Sequence, residues 1–287
     1  MNRINLRTAF ITATVLAALL VAPRLTAQEP GNVPETKAPP AAAAPVQVTP
    51  PAAQTVPVKP APPAAGQIAA GPMSREEQMK NDWPWLGKFK EADLALGLPA
   101  AGENRVVFMG DSITEGWHFE GADGSFAGKP YINRGISGQT TPQMVLRFRQ
   151  DVIALQPKVV VILAGINDIA GNTGPMTLEQ SEDNLASMSE LAAANHIRVV
   201  LCSVLPAFDF PWHPGMTPAP KVLALNAWIK AYAAEKGHIY VDYHAAMKDE
   251  RDGLPATLSR DGVHPLPAGY AVMTPLVEAG IQKTLAP

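Results

Sequence analysis

The chain has 287 residues, a formal net charge of −3 and a single cysteine, Cys202. A chain of this length usually forms one or two domains. The small negative charge, with no run of basic residues, argues against a nucleic-acid-binding surface. One cysteine excludes an intramolecular disulfide. Cys202 lies in the apolar run RVVLCSV, so we expect a buried thiol rather than a reactive one.

The first 27 residues have the order of a secretory signal peptide. MNRINLR is basic, TAFITATVLAALLVA is apolar and uncharged, and small residues follow up to Ala27. This order predicts cleavage after Ala27 and export to the periplasm or the outside of the cell. The apolar run is short for a bilayer span, which needs about 20 residues. An uncleaved N-terminal membrane anchor is therefore the lesser alternative.

Residues 28–72 are rich in proline and alanine and contain no aromatic residue. Proline removes backbone donors and fixes φ, which favours extended, solvated chain over a packed core. We therefore predict a disordered linker. It is either a tether that holds a domain at the cell envelope or a leader with no specific role. Residues 73–287 are long enough for one large domain with a substantial core.

This domain opens with MSREEQMKNDWPWLGKFKEAD, which has the pattern of an amphipathic entry helix with Trp83 and Trp85 packed against the domain. Five apolar, β-branched runs follow. Continuous runs of this kind suit strands that are buried on both faces of a parallel sheet. They lie at 105–109, 131–133, 158–164, 197–204 and 238–243.

Helical patterns lie between and after these runs. One begins with Thr177 and Gln180, which have the spacing of a capping box. Another ends at Gly237, a usual residue at a helix end. The last starts near Pro267 and contains Pro275, which predicts a kink or a break. Strands alternating with helices predict an α/β fold with a parallel sheet covered on both faces.

Polar residues and glycines follow four of the predicted strands. In such folds ligands bind outside the carboxyl ends of the strands, so these residues are the candidates for a functional site. They are Asp111 and Ser112 after the first strand, Gly135 and Gly138 after the second, Asn167 and Asp168 after the third, and Asp261 and His264 beyond the fifth.

These residue types suit acyl transfer. A serine hydroxyl becomes a good nucleophile when a base takes its proton. Histidine can be that base, and it needs an acid to fix its tautomer. Asp261 and His264 are three residues apart, so one short loop could present both. The developing oxyanion needs hydrogen-bond donors, and Ser112 N–H, Gly138 N–H and the Asn167 amide are candidates. Taken alone, Ser112 also fits a helix N-cap and Asn167 a turn residue.

The blocks GDSI, ISGQT, GIND and DGVH resemble those of the SGNH hydrolases, also called GDSL esterases/lipases. The spacing is most similar to the subgroup related to the catalytic subunits of platelet-activating-factor acetylhydrolase. The resemblance covers residues 105 to 270. Isoleucine replaces leucine in the first block, a swap of similar volume. The G-x-S-x-G elbow of the α/β-hydrolases does not occur around Ser112.

The resemblance implies a flavodoxin-like three-layer α/β/α sandwich with a central five-stranded parallel sheet, and a serine esterase. Carried over residue by residue, Ser112 is the nucleophile, His264 the base and Asp261 its partner. Gly138 and Asn167 are then the oxyanion donors, together with Ser112 N–H. No metal or cofactor is implied.

Other residues receive structural or tentative roles. Asp111 and Asp168 are interpreted as bracing their loops. His118, a rival to His264, is placed in a helix after Ser112. Phe210 and Trp212 lie in a long Pro-rich loop, where they either contact substrate or anchor the loop. Trp117 is assigned to the core.

The sequence therefore favours a secreted serine esterase that releases short acyl groups, with acetylated carbohydrate as a plausible substrate. Cleavage of longer acyl esters, as in a lysophospholipase, is the alternative within this class. A tethered binding module that lost the chemistry and an acyltransferase that uses the same residues are the other hypotheses. A binding module has no need to keep Ser112, Asp261 and His264 together.

Overall fold

The computed structural model describes residues 74–121 and 124–286. The predicted signal peptide, residues 1–27, and the predicted linker, residues 28–72, lie outside this part of the chain, so these domain boundaries stay predictions. Within the described residues, no helix combines the length and the apolar character that crossing a membrane requires.

The five predicted strands are present and form one all-parallel sheet with the order β2-β1-β3-β4-β5. They are β1 (Val106–Gly110), β2 (Tyr131–Gly135), β3 (Val159–Leu163), β4 (Arg198–Cys202) and β5 (Ile239–Val241). Every residue of β1 and β3 is buried, because a central strand of a covered parallel sheet meets apolar neighbours on both faces.

Helices cover the sheet on both faces. They are α1 (Arg75–Asn81), α2 (Lys90–Leu96), α3 (Ser112–Glu115), α4 (Thr141–Asp151), α5 (Ile166–Ile169), α6 (Leu178–Ala194), α7 (Ala219–Lys236), α8 (Tyr243–Met247) and α9 (Pro267–Leu285). Crossovers between parallel strands are right-handed, so α4, α6 and α7 share one face, where each packs against the next. On the other face α9 packs against β3, β4 and β5. The predicted three-layer α/β fold is confirmed.

Two predicted helix ends are confirmed in detail. Thr177 caps α6, and the capping box with Gln180 is complete. Gly237 ends α7 with a φ of 71°, a left-handed conformation that glycine adopts without steric cost.

Of the kink or break predicted at Pro275, the break does not occur. The last helix, α9, runs without interruption from Pro267 to Leu285. Proline inside a helix costs about 3 kcal/mol, but Met273, Val277 and Ile281 are buried along the same helix. Burial of each such side chain contributes roughly 1.5–3 kcal/mol, which outweighs the cost of the proline. A kink at Pro275 stays a prediction.

The predicted single entry helix is also wrong. The segment forms two short helices, α1 and α2, separated by residues 82–89. Pro84 disfavours a helical conformation at Trp83, and Trp85 adopts a φ of 58°. The carboxylate of Asp82 accepts hydrogen bonds from the N–H groups of Leu86 and Gly87, both at 2.8 Å. Both tryptophans are half-buried.

The helix that contains Ser112 is shorter than predicted. It ends at Glu115, so His118 lies outside it. The chain turns inward at Trp117, which is buried and packs edge-on against Phe108 with ring centroids 5.9 Å apart. The core assignment of Trp117 is thus confirmed. Cys202 is also buried, and burial raises the pKa of its thiol to about 12.

Candidate active site

The candidate site residues lie at the point where the strand order of the sheet reverses, between β1 and β3. In open parallel sheets this position leaves a crevice at the carboxyl ends of the strands. Ser112 follows β1 and Asn167 follows β3, so the two flank the crevice. Gly110 and Gly135 end β1 and β2 in register. A Cβ on either would collide with α3, so both glycines let α3 lie directly across the strand ends.

Ser112 is the first residue of α3 rather than its cap. Asp111 is the N-cap, and its Oδ1 accepts a hydrogen bond from Ile113 N–H at 2.9 Å. The Ser112 hydroxyl is thereby left to another partner. Its Oγ lies 2.9 Å from Nε2 of His264. The interpretation of Ser112 as a capping residue is therefore excluded.

One short loop presents His264 and Asp261 together. Nδ1 of His264 lies 2.6 Å from Oδ2 of Asp261. The other carboxylate oxygen accepts from the N–H groups of Val263 and His264 at 3.0 and 2.8 Å, and from Ser259 Oγ at 3.1 Å. Burial raises the pKa of Asp261, but the hydrogen bonds from His264 and Val263 outweigh it and lower the pKa to about 2. The carboxylate is therefore ionised at neutral pH.

Each of the three candidate oxyanion donors keeps a hydrogen that no atom of the described residues accepts. Ser112 N–H is at the first helical position, which has no partner inside the helix. Gly138 has a φ of 76°. Among the described residues, neither N–H group donates a hydrogen bond within the protein. The side chain of Asn167 is fixed at both ends: its Nδ2 donates to Gln139 O at 3.0 Å, and its Oδ1 accepts from Asn172 at 2.7 Å. An amide carries two hydrogens, so one remains for a ligand.

The loop at residues 136–140, which carries Gly138, is tied to the helix that carries Ser112. Glu115 of α3 accepts hydrogen bonds from both the N–H and the hydroxyl of Ser137. Lys88 holds the same carboxylate at 2.9 Å. Burial raises the pKa of Glu115, but the bonds to Ser137 and Lys88 outweigh it and lower the pKa. The charged carboxylate therefore joins the two parts of the site.

Arg147 is a fully buried residue at the site that sequence reasoning missed. Its guanidinium donates to Gly110 O at 3.0 Å, to Gln139 Oε1 at 2.5 Å and to Asp151 Oδ2 at 3.0 Å. Burial lowers its pKa to about 10 although Asp151 opposes the shift, so it stays cationic at neutral pH. It braces the end of β1 against the 136–140 loop. A signal was available: Arg147 and Asp151 are four residues apart on the apolar face of α4.

The two other acids have the bracing geometry expected of them. Asp168 accepts from the N–H of Thr141, at 3.2 and 3.1 Å to its two oxygens, and from Ser181 Oγ at 3.2 Å. Burial raises its pKa. Asp111 caps α3 with one oxygen, while its other oxygen, Oδ2, is buried without a hydrogen-bond partner in the described structure. Burial raises the pKa of Asp111 to about 7, against the hydrogen bond from Ile113.

Phe210 and Trp212, the two aromatic residues of the Pro-rich loop, have different roles. Phe210 is fully buried, so it anchors the loop, and its tentative assignment as a substrate contact is wrong. Removing an apolar phenyl ring from water stabilises the fold, whereas leaving it exposed does not. Trp212 stacks on Phe210 with ring centroids 5.1 Å apart and stays 39% exposed. Its ring centroid lies 6.1 Å from that of His264, which leaves Trp212 as the candidate substrate contact.

The sequence between residues 108 and 272 matches the GDSL-like Lipase/Acylhydrolase family. This region covers more than half of the chain, and the chain belongs to that family. It is therefore a carboxylic ester hydrolase, as the resemblance predicted.

Similar proteins give the same class. The crystal structure of a GDSL-like lipase from Bacteroides thetaiotaomicron matches with a TM-score of 0.68 and a sequence identity of 44%. The match covers 71% of this chain and all of that one. An acetylxylan esterase of Geobacillus stearothermophilus is 27% identical over 199 residues, 59% of this chain and 90% of its own.

Two further similarities are weaker. The structure of a candidate platelet activating factor protein from Streptococcus pneumoniae is 20% identical with a TM-score of 0.60, covering 71% of this chain and 94% of that one. This likeness concerns the fold alone. An uncharacterised Bacillus subtilis lipoprotein, YqeF, is 29% identical over 132 residues, 40% of this chain and 54% of its own.

Proposed function

We propose that the protein is an exported serine esterase that hydrolyses carboxylic esters with short acyl groups, above all O-acetyl esters. Ser112 is the nucleophile, His264 the general base and Asp261 the residue that orients the histidine. The observation that carries the proposal is the pair of contacts at His264, 2.9 Å to Ser112 Oγ and 2.6 Å to Asp261 Oδ2. These contacts occupy both ring nitrogens, as a nucleophile–base–acid relay requires.

The reaction proceeds through an acyl-enzyme. Ser112 Oγ attacks the ester carbonyl carbon while Nε2 of His264 takes the hydroxyl proton. The ionised Asp261 stabilises the imidazolium that forms. The imidazolium then gives its proton to the leaving alcohol oxygen, and the ester C–O bond breaks. In the second half, the water oxygen bonds to the acyl carbon while His264 takes a proton from the water. The acyl–serine bond then breaks, His264 returns the proton to Ser112 Oγ, and the carboxylic acid leaves.

The oxyanion of each tetrahedral intermediate is bound by Ser112 N–H, Gly138 N–H and Asn167 Nδ2. Donors fixed in advance at the position of developing charge stabilise the transition state without reorganising. The bonds from Asn167 to Gln139 O and from Asn172 to Asn167 support this role, because they fix the amide before substrate arrives.

The likeness to an acetylxylan esterase supports O-acetylated carbohydrate as the substrate class. The imidazolium delivers its proton to the alcohol, so the alcohol part lies on the side of His264, where Trp212 offers an exposed ring. Export is proposed from the signal-like first 27 residues, and the lipoprotein relative supports it. The Pro/Ala-rich segment is proposed to tether the enzyme to the cell envelope.

Hydrolysis of p-nitrophenyl acetate, butyrate and octanoate by the purified protein tests this function. We expect turnover with the acetate ranked first. A ranking led by the octanoate would favour longer acyl esters, as in a lysophospholipase. A folded protein without turnover on any ester would favour a binding module. Product analysis with water and a sugar competing as acceptors separates hydrolysis from acyl transfer.

Substitution of Asn167 by alanine is expected to lower kcat about 10²–10³-fold and to change KM little, because the lost hydrogen bond forms with the oxyanion of the transition state. Steady-state kinetics on p-nitrophenyl acetate measure both constants. Asn195→Ala, at the exposed end of α6, is the matched control and should leave them unchanged. A rise in KM at constant kcat would contradict the oxyanion role.

The acid limb of the pH profile should report one ionisation. Because His264 must be neutral to accept the proton, kcat/KM is expected to fall as the pH is lowered. At the acid end of the profile, the fall is about tenfold per pH unit. Asp261, with a pKa of about 2, stays ionised throughout. Asp111→Asn keeps the helix cap and removes the buried acid with a pKa of about 7, and the limb should persist in it. An acid limb that disappears in Asp111→Asn would contradict His264 as the base.

A further inference from the structure

A cavity of about 240 Å³ lies beside the loop that carries Gly138. Ser137, Gly138 and Gln139 form one part of its wall. Another part comes from Met79 and Trp85, which belong to the N-terminal segment, defined here as residues 74–98. This segment precedes the family match, which begins at residue 108. The cavity therefore combines the proposed oxyanion loop with a part of the chain that lies outside the family match.

The N-terminal segment is held at this loop by its main chain. Gln139 Nε2 donates to Pro84 O at 2.7 Å, and Gln143 Nε2 donates to Trp83 O at 2.7 Å. Trp85 N–H donates to Asp82 O at 2.8 Å. Trp85 itself has a φ of 58°, which is uncommon for a bulky residue and persists only where the surroundings enforce it. Hydrogen bonds to main-chain groups thus set the position of the indole.

The wall of the cavity is uncharged and combines apolar surface with polar side chains. Among the described residues that line it, none is charged. Gln78 uses its amide hydrogens on the carbonyls of Asp82 and Trp83, at 2.6 and 3.2 Å, which leaves its oxygen to accept. Asn172 gives one amide hydrogen to Asn167, and its other hydrogen and its oxygen remain available. Such a wall suits a neutral ligand that both donates and accepts hydrogen bonds.

Size and composition argue against an acyl chain or a phospholipid headgroup. Pockets for drug-sized ligands span roughly 300–1,000 Å³, so this cavity accommodates about one small ring. A long acyl chain gains most from a wall that is apolar throughout, whereas six of the nine residues that line this cavity carry an amide or a hydroxyl group. A phosphocholine group requires charged partners, which the lining residues do not provide. An indole with several amides is the combination that receives a ring with apolar faces and polar edges.

We propose that this cavity is a subsite for one neutral sugar ring of an O-acetylated carbohydrate, a ring other than the one that carries the ester, with Trp85 as the stacking surface. The inference rests on the proposed esterase function and adds the position and the chemistry of a carbohydrate contact. Lys88 Nζ covers one face of Trp85 at 4.6 Å from the ring centroid, and the remaining surface of the indole meets the sugar. The N-terminal segment thereby becomes a determinant of substrate choice.

Two substrates of different size test the subsite. In Trp85→Ala, KM for an acetylated xylo-oligosaccharide is expected to rise about tenfold, because one stacking contact with the sugar is lost. With p-nitrophenyl acetate, which has no sugar ring to stack on Trp85, kcat/KM should stay within about twofold of wild type. Trp85→Phe keeps an aromatic face and should recover most of the loss. Trp228→Ala, a half-buried tryptophan of α7, should change the ratio between the two substrates little.

Three results would overturn the subsite. An equal loss on both substrates would show that Trp85 only supports the fold. Unchanged kinetics on both would show that the cavity is not used. A change confined to the acyl-chain ranking among p-nitrophenyl esters would make the cavity an acyl pocket.

Binding without chemistry separates this inference from the esterase proposal. Calorimetric titration of unacetylated xylo-oligosaccharide into the Ser112→Ala protein should give binding that the additional Trp85→Ala change weakens about tenfold. If wild type hydrolyses no ester yet binds the sugar in this Trp85-dependent way, the esterase proposal fails and the subsite stands. If wild type is an esterase and the sugar does not bind, the subsite is wrong.

Discussion

Substitution of Ser112 by alanine is expected to lower kcat for p-nitrophenyl acetate by about 10⁶-fold, the effect of removing the nucleophile of a triad hydrolase. The change removes only the oxygen that lies 2.9 Å from His264 Nε2. Asp111 rather than Ser112 caps α3, so the helix and the fold should persist. KM should change little where it can be measured. Initial rates of p-nitrophenolate release report the effect, and circular dichroism and Tm verify the fold.

Ser187→Ala provides the matched control, because Ser187 is a helical serine of α6 whose hydroxyl bonds, among the described residues, only to Asp183 O. Its activity should equal that of wild type. Equal turnover in wild type and Ser112→Ala would mean that Ser112 is not the nucleophile. A loss of activity accompanied by loss of the folded signal would leave His264→Ala as the deciding variant, which should show the same loss of kcat in a folded protein.

Replacement of Arg147 by methionine is expected to lower the free energy of unfolding by about 3–5 kcal/mol, because removal of one partner of a buried ion pair leaves the other charge uncompensated. Asp151, the partner, is also buried. The change further leaves Gln139 Oε1 without its donor and removes one of the two donors of Gly110 O, which keeps the N–H of Ile136 at 3.1 Å. For a domain of this size, Tm should fall by roughly 10 °C. Calorimetry or thermal circular dichroism measures the shift.

The double variant Arg147→Met with Asp151→Leu is the control for this stability effect. Replacing both members of a buried pair by apolar residues of similar volume is often neutral or stabilising. Asp151 Oδ1 is buried without a hydrogen-bond partner in the described structure, so its removal also relieves an unsatisfied atom. The double variant should therefore recover most of the Tm lost in Arg147→Met. A single variant as stable as wild type would mean that the ion pair contributes nothing to the fold.

The sheet could be predicted from the sequence because its signal is local. VVFM and VVVIL are continuous apolar runs, and burial on both faces of a central strand is the arrangement that such runs favour. The capping box at Thr177 and the glycine at Gly237 act within one turn of chain, and the structure contains both. The candidate site followed from the same logic, because parallel strands bring their carboxyl ends to one edge.

The errors arose where distant contacts or backbone details decide the outcome. The apolar periodicity of residues 73–93 indicated one helix, but Pro84 and the Asp82 turn divide it. Phe210 and Trp212 were indistinguishable in sequence, and only packing buries the first and exposes the second. Arg147 reaches Gly110 and Gln139 across the fold, a contact that no local pattern encodes.

The central claim is that Ser112 is the nucleophile, and covalent trapping tests it most directly. A p-nitrophenyl alkylphosphonate phosphonylates an activated serine: the serine oxygen bonds to phosphorus and p-nitrophenolate leaves. Peptide mass spectrometry after inactivation should show one phosphonyl group on residues 106–129, with fragmentation placing it on Ser112 and not on Ser125. The adduct should not form in His264→Ala. A phosphonyl group on Ser137 or another residue, or full inactivation with Ser112 unmodified, would contradict the account.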